Sequence, residues 1–260
     1  DKFPLFKSCC KINIFEKSIY LKKIQKKKFK NKKVKWLKNL NEISNHPSIF
    51  VANEFLDSLP IRQFIKKNKK WFERNVEFLE INKPRFIDIL CDIKKIEKKL
   101  DFKISNNQKF IEYSPLSLKY FKIISKKIRS NSGGILIIDY GCWDNKMKNT
   151  LKSIYKHKFN NVLKNFSKAD ITYNPNFKLL EKILKKSNLK INGKNNQQNF
   201  LINLGILKRA EIISKNLPFS KKADIYYRVK RLIDQNSMGK LFKVILATKK
   251  NVNFQTGFLN

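Results

Sequence analysis

The chain has few of the residues that most site chemistries require. Its 260 residues include two histidines, His46 and His157, and four cysteines, Cys9, Cys10, Cys91 and Cys142, none in a Cys-x-x-Cys spacing. That leaves little from which to build a zinc site. Two of the cysteines are adjacent, which does not suit an intrachain bridge, so reduced and mostly buried thiols in a reducing compartment are expected. No apolar run approaches the roughly 20 residues that a membrane-spanning helix needs. The longest, around Ile135–Ile138 and Val244–Ala247, are strand-sized. No signal or transit sequence is visible ahead of the opening Asp1. Arginine is scarce as well: seven of the 58 basic residues. A phosphate-reading surface favours arginine, whose fork matches phosphate geometry. Glycine, alanine and proline are few, while Lys, Asn, Ile and Phe, which share A/T-rich codons, are abundant. The net charge of +38 therefore reads as base bias and a solvated lysine coat spread along the chain, rather than a nucleic-acid groove.

What is present can fold. A hydrophobic fraction of 42% supports a core, and the length suits one large α/β domain or a domain with an appendage. Lys11–Ser18 alternates as a short strand ending on Glu16. Ile19–Phe29 carries a loose helical face, and Val34–Leu40 alternates again. Ser48–Ala52 is apolar on both faces, as interior parallel strands are. Ile61 to about Cys91 has hairpin character, with Lys67–Lys70 at a turn. Ile87–Ser105 is ambiguous. Ser114 and Pro115 form a helix start, with apolar residues at Leu118, Phe121, Ile124 and Ile128. Asn131–Gly134 breaks that helix, and Ile135–Gly141 is a buried strand that includes Asp139. Helices around Phe177–Asn188 and Asn199–Lys215 precede a final strand, Leu241–Lys250, entered by a turn at Met238-Gly239. There are no internal repeats. Strand–helix alternation with carboxylates at strand ends predicts a doubly wound α/β sheet.

Ligands of open parallel sheets bind beyond the carboxyl ends of the strands, and three strands here end in acids: Glu16, Glu54 and Asp139. Glu16 can accept both hydroxyls of a nucleoside ribose, or it can cap the helix that follows. Glu54 and Asp57, three apart at a strand-to-loop bend, can grip a multi-donor cation such as a guanidinium. Alternatively, Asp57 can serve a turn by bonding nearby N–H groups. Asn53 offers donor and acceptor and suits a turn equally. Tyr173–Phe177, "YNPNF", is similar to the Asn-Pro-Pro-aromatic motif of amino-methylating nucleic-acid enzymes. It lacks the second proline, and is taken as an Asn-Pro turn. His157, with no partner identified, is a surface or packing residue.

One stretch is more specific. "VANEFLDSLPIRQF" (Val51–Phe64) closely resembles the Ala-Asn-Glu-Phe-x-Asp-Ala-Leu-Pro-x-x-Gln-Phe signature of the MidA family of S-adenosylmethionine-dependent methyltransferases, related to a mitochondrial complex I assembly factor. "FEKSIYLKKIQ" resembles that family's Val-Glu-x-Ser-x-x-Leu-x-x-x-Gln, and "IEYSPLSLKYF" its Glu-x-Ser-Pro helix start. "GGILIIDYG", "ADITYNPNF", "NFLINLGILKRAE" and "MGKLFKVILA" follow in the family's order, so the resemblance runs along essentially the whole chain. Two departures stand out. Asn174 and Asn176 occupy positions where the family has His and Asp. The family's first strand and glycine-rich loop do not fit into the residues before Glu16, so a chain truncated at its N-terminus is expected.

The resemblance implies a Rossmann-like class I methyltransferase sheet with an inserted antiparallel β segment and a helical C-terminal region. On this basis residues 1–60 are a partial methyltransferase core, 61–110 the insert, and 111–260 the remaining core with helical additions. It implies S-adenosyl-L-methionine as cofactor, with Glu16 on its ribose and Asn53, Glu54 and Asp57 facing the methyl group and acceptor; Asp139 would line the same rim. It implies protein-arginine methylation, a respiratory complex I subunit as partner, and a location in the cytoplasm of a bacterium or the mitochondrial matrix of a eukaryote. The rivals are a non-catalytic assembly or scaffold factor on this fold and a nucleic-acid methyltransferase.

Overall fold

The computed structural model describes residues 3–29, 33–80 and 83–259. The chain divides into two compact units, Asp1–Pro47 and Ser48–Asn260. The boundaries expected at 60 and 110 both fall inside the second unit.

In the first unit Pro4–Cys9 is α1, Ile12–Phe15 is β1, Ile19–Lys28 is α2 and Val34–Leu37 is β2. β1 and β2 pair in parallel, from Ile12 against Val34 to Phe15 against Leu37, with α2 as the crossover. The start of α2 is fixed by Ser18, whose Oγ accepts the Leu21 N–H at 3.2 Å. The strand expected over Val34–Leu40 stops at Leu37. There Asn39 and Glu42 form a capping box around a 3-10 turn, Leu40–Glu42. All four thiols are free, but none is buried: Cys91 and Cys142 are partly exposed, and Cys9, in α1, and Cys10, just past it, are exposed.

The second unit runs through β3 (Ser48–Asn53), β4 (Arg62–Lys67), β5 (Lys70–Phe78), β6 (Pro84–Cys91), α3 (Ile93–Leu100), β7 (Phe110–Tyr113), α4 (Pro115–Asn131) and β8 (Gly133–Tyr140). Next come β9 (Lys152–Tyr155), β10 (Lys158–Asn160), β11 (Asp170–Thr172), α5 (Phe177–Lys186) and β12 (Lys190–Asn196). The unit closes with α6 (Gln197–Asn203), α7 (Ile206–Ser214), α8 (Phe219–Ile233), α9 (Met238–Leu241) and β13 (Phe242–Thr248). Met238-Gly239, expected as a turn, thus opens a single helical turn.

The central sheet has the order β12-β13-β8-β3. β3 is parallel to β8, whereas β13 is antiparallel to both β8 and β12. The carboxyl ends of β3, β8 and β12 therefore share one rim with the start of β13. Helix α4 packs on β3 and β8, and α5 on β12 and β13. Of the apolar residues expected on α4, Phe121, Ile124 and Ile128 are buried and Leu118 is partly exposed; on α5 the buried layer is Phe177, Leu180 and Leu184. β3 differs from expectation. It is an edge strand, paired only with β8 among the described residues. Its side chains alternate, and Ile49 and Val51 are exposed.

The hairpin region forms a separate antiparallel sheet, β6-β5-β4-β7. Lys67 pairs with Lys70, leaving Asn68 and Lys69 as a two-residue turn with φ of +45° and +64°, the left-handed pair that a tight hairpin needs. β7 carries this sheet past residue 110, and its Ile111 meets Phe64 of β4 in a fully buried pair. A three-stranded antiparallel sheet, β10-β9-β11, follows β8.

α4 begins and ends as its sequence dictates. Ser114 Oγ accepts the Ser117 N–H at 3.2 Å, and Pro115 occupies the first turn. At the far end Ser132 and Gly133, with φ of +70° and +113°, swing the chain into β8. A Cβ on Gly133 would lie 2.0 Å from the Ser48 carbonyl oxygen. Ser114→Ala should cost about 1 kcal/mol, and Gly133→Ala more than that. Urea unfolding of the two variants checks the order; equal stabilities would contradict it.

Candidate active site

The bend after β3 gathers acid. Pairing with β8 ends where the Glu54 N–H donates to the Ile138 carbonyl at 3.0 Å. Glu54 then turns left-handed, with φ of +46°, which is uncommon outside glycine. The next three N–H groups converge on one carboxylate oxygen. Asp139 Oδ2 accepts from Phe55 at 3.1 Å, Leu56 at 2.7 Å and Asp57 at 3.4 Å. Its Oδ1 accepts from the Tyr140 N–H at 2.8 Å. Successive N–H groups around a bend form an anion nest, here filled by the protein's own side chain. Asp139 is fully buried. Burial, followed by the Asp57 charge, pushes its pKa up to about 7, against the pull of the Leu56, Asp57 and Tyr140 N–H groups. Asp139 thus braces the bend from inside instead of lining the rim, because it is fully buried and the hydrogen bonds it accepts come from backbone N–H groups. Leu56, buried in the core, pins the same bend.

Held this way, the bend presents Asn53, Glu54 and Asp57. Asn53 and Glu54 are exposed, and their side chains make no hydrogen bond or ion pair with any described residue. Asp57 is half-buried. Its Oδ2 accepts from the Thr172 hydroxyl at 3.1 Å, and its carbonyl accepts from the Tyr173 N–H at 3.4 Å. Its Oδ1 is buried and accepts no hydrogen bond from any described residue. Burial raises the Asp57 pKa; the Thr172 hydroxyl opposes this, Asp170 adds to it, and the nearby Ser58 N–H helps to lower it. An unmet buried acceptor costs about 1–3 kcal/mol, so this oxygen is poised for a donor.

Two tyrosines complete the cluster. Tyr140, whose ring lies 4.2 Å from that of Phe242, has its pKa raised by burial and then by Glu54, Asp57 and Asp139, with Arg231 opposing. Tyr173 is buried; its pKa is raised by burial and then by Asp139, Glu112 and Asp57. Glu112, also buried, accepts from Gln63 Nε2 at 2.6 Å and from the Thr150 N–H at 3.2 Å. It also takes a short hydrogen bond from the Thr150 hydroxyl. Its pKa is raised by burial. Gln63 extends the chain to Asn149 Oδ1 at 2.8 Å, and the Asn174 N–H donates to Thr150 Oγ1 at 2.8 Å. Gln63 and Glu112 both stand in the quoted motifs, and Tyr140 adjoins Asp139, yet sequence reasoning gave none of them a role. The signal was present in the motif spacing; their burial was not.

"YNPNF" is not the Asn-Pro turn expected but an irregular lead into α5. Asn176 caps α5, its Oδ1 accepting the Leu179 N–H at 2.9 Å while its Nδ2 donates to the Asp144 carbonyl at 2.9 Å. His157 sits exposed in a turn, with φ of +62°.

Glu16 belongs to the first unit, just past β1. Its Oε1 accepts the Ser18 N–H at 2.8 Å and its Oε2 accepts Gln25 Nε2 at 3.1 Å. Gln25 Oε1 in turn accepts the Trp36 indole N–H at 3.0 Å. The helix-start role that the sequence left open is therefore filled. Each carboxylate oxygen keeps a lone pair, so these acceptors still fit a ribose diol.

Residues 1–195 match the family model described as "Putative S-adenosyl-L-methionine-dependent methyltransferase". The mitochondrial protein arginine methyltransferase NDUFAF7 homolog of Caenorhabditis elegans is 31% identical over 182 residues, covering 67% of this chain and 41% of that one. The chain spans about half the length of the curated relatives it matches. Among solved structures, an uncharacterized Burkholderia thailandensis protein superposes with a TM-score of 0.81 at 20% identity, over 96% of this chain and 69% of that one. Another from the same organism, bound to S-adenosyl-homocysteine, superposes with a TM-score of 0.74 at 21% identity, over 92% of this chain and 64% of that one. The α/β architecture is thus the class I methyltransferase fold, and the chain belongs to the MidA family of S-adenosyl-L-methionine-dependent methyltransferases.

Proposed function

We propose that the protein methylates a guanidinium nitrogen of arginine in a protein substrate, with Glu54 and Asp57 holding the acceptor and Glu16 holding the ribose of the cofactor. The observation that carries this reading is the unpartnered, buried Asp57 Oδ1, beside the exposed and unpaired Glu54. A guanidinium offers donors in a fixed fork and can meet both carboxylates with charge-assisted hydrogen bonds. S-adenosyl-L-methionine, when bound, supplies an electrophilic sulfonium methyl group. The chain's own residues do the rest. Glu54 orients the cation from the solvent side, and Asn53 offers a further donor and acceptor at the same bend. Asp57, with its pKa raised by burial, is suited to take the proton that the alkylated nitrogen gives up. Asp139 fixes the backbone that aims these groups, and positioning of this kind supplies much of the rate in such transfers. The relatives' mitochondrial setting and a respiratory complex I subunit as acceptor belong to the same proposal.

In the whole protein, Glu54→Gln and Asp57→Asn should each lower methyl transfer to an arginine peptide by about 100-fold, while calorimetric affinity for S-adenosyl-L-methionine stays within about twofold. Transfer that survives both changes would remove the pair from the mechanism. The pH dependence follows from the raised carboxyl groups. A cation placed beside them favours their ionised forms, whereas the guanidinium stays charged throughout. Affinity for the arginine peptide should therefore fall on acidification and climb as pH rises through about 7, where Asp139 ionises and tightens its hold on the bend that aims Glu54 and Asp57. A profile by fluorescence anisotropy that is flat between pH 6 and 8 would contradict the assignment.

A further inference from the structure

The acidic bend has a basic neighbour on the same rim. In the central sheet Asp139 of β8 is the register partner of Lys243 on β13, and Lys243 of Asn196 on β12. Two strand spacings, about 10 Å, thus separate Asp139 from the end of β12. There a hollow of about 530 Å³ opens, walled by the Trp143 indole and by Lys178, Lys194, Lys240 and Lys243. Trp143 is fixed by edge contact with Phe177, ring centroids 5.2 Å apart. Lys194 lies 5.7 Å from the Trp143 ring, and its charge is partly met by Glu181 at 3.2 Å. Lys243 is half-buried and donates to the Lys240 carbonyl. Lys178 and Lys240 have no ion pair with any described residue. Lys178 also stands in the first turn of α5, where the helix dipole adds positive potential.

Resting on the arginine reading above, we propose that this hollow holds an acidic side chain of the protein substrate, so that the enzyme selects an arginine with aspartate or glutamate about four residues away. The Glu54–Asp57 bend lies one strand beyond Asp139, three spacings or about 14 Å from the end of β12, and an extended peptide covers about 14 Å in four residues. The hollow suits one or two side chains rather than a strand of nucleic acid. It offers a single aromatic face, not the succession on which bases stack, and no arginine. A run of phosphates crossing it would also pass the Glu54–Asp57 bend, three strand spacings or about 14 Å away. A polypeptide can carry opposite charges at that interval; a nucleic-acid backbone cannot. The charge of the chain argues the same way. At +38 it repels a segment rich in arginine and lysine and draws in one that is acidic overall.

The test measures anisotropy of labelled 13-residue peptides with the whole protein at about 0.15 M salt. One peptide has a central arginine flanked by glutamate at four residues on either side; a second has glutamine there. The acidic peptide should bind at least tenfold tighter. Lys178→Glu with Lys240→Glu should erase that preference and leave the glutamine peptide within twofold. The same charge change placed on α3, Lys95→Glu with Lys99→Glu, should preserve it. Equal affinities, or a preference that survives the Lys178/Lys240 change, overturn the proposal. Citrulline in place of arginine separates the two readings. If it costs no affinity while the glutamate preference persists, the arginine assignment fails and the anion pocket stands. An oligothymidylate that displaces the acidic peptide through the same two lysines at equal or lower concentration overturns the assignment to protein.

Discussion

One buried carboxylate organises the site. Asp139 spends both oxygens on backbone N–H groups, three of them from consecutive residues of the bend after β3. The bend could not otherwise keep that shape. Glu54 sits at a positive φ that its side chain disfavours, and the N–H groups after it have no strand left to pair with. Asp139 supplies the acceptor that makes the strained turn the stable one. The conformation that exposes Glu54 and half-buries Asp57 is therefore set from the neighbouring strand, not by the bend's own sequence.

The arrangement has an electrostatic cost. Asp139, Asp57 and Glu112 are each buried enough to have raised pKa values, and Tyr173 lies within the field of all three. Like charges brought together in a poorly hydrated region oppose one another. Such a cluster favours any ligand that brings positive charge, because the ligand relieves repulsion as well as forming contacts. The lysine coat around it acts at longer range and in the opposite sense, which makes the approach and the final contact chemically distinct steps.

Much of the fold was legible because its signals are local. Ser114 and Pro115 announce α4, and alternating residues around Asn68-Lys69 announce the hairpin. Continuous apolar residues mark β8. The failures arose where a longer-range partner decides the outcome. β3 has the composition of an interior strand, yet it pairs on one edge among the described residues, and Ile49 and Val51 on one of its faces are exposed. Asp139 looked like a ligand-facing acid, since nothing in "IIDYG" says that three N–H groups from residues more than 80 positions earlier will occupy it. Gln63 and Glu112 are 49 positions apart, and their pairing is invisible to any period of helix or strand. Asn53, Glu54 and Asp57 were found through the resemblance together with the abrupt end of an apolar run.

The chain of hydrogen bonds from Glu16 through Gln25 to the Trp36 indole ties the acid meant for a nucleoside to a fluorophore. A diol that takes the remaining lone pair of Glu16 Oε2 shares that oxygen with the Gln25 carboxamide, and a weakened carboxamide contact holds the indole N–H less firmly. Occupancy at Glu16 would thereby reach Trp36 as a change in emission, giving the first unit a built-in optical reporter that needs no label.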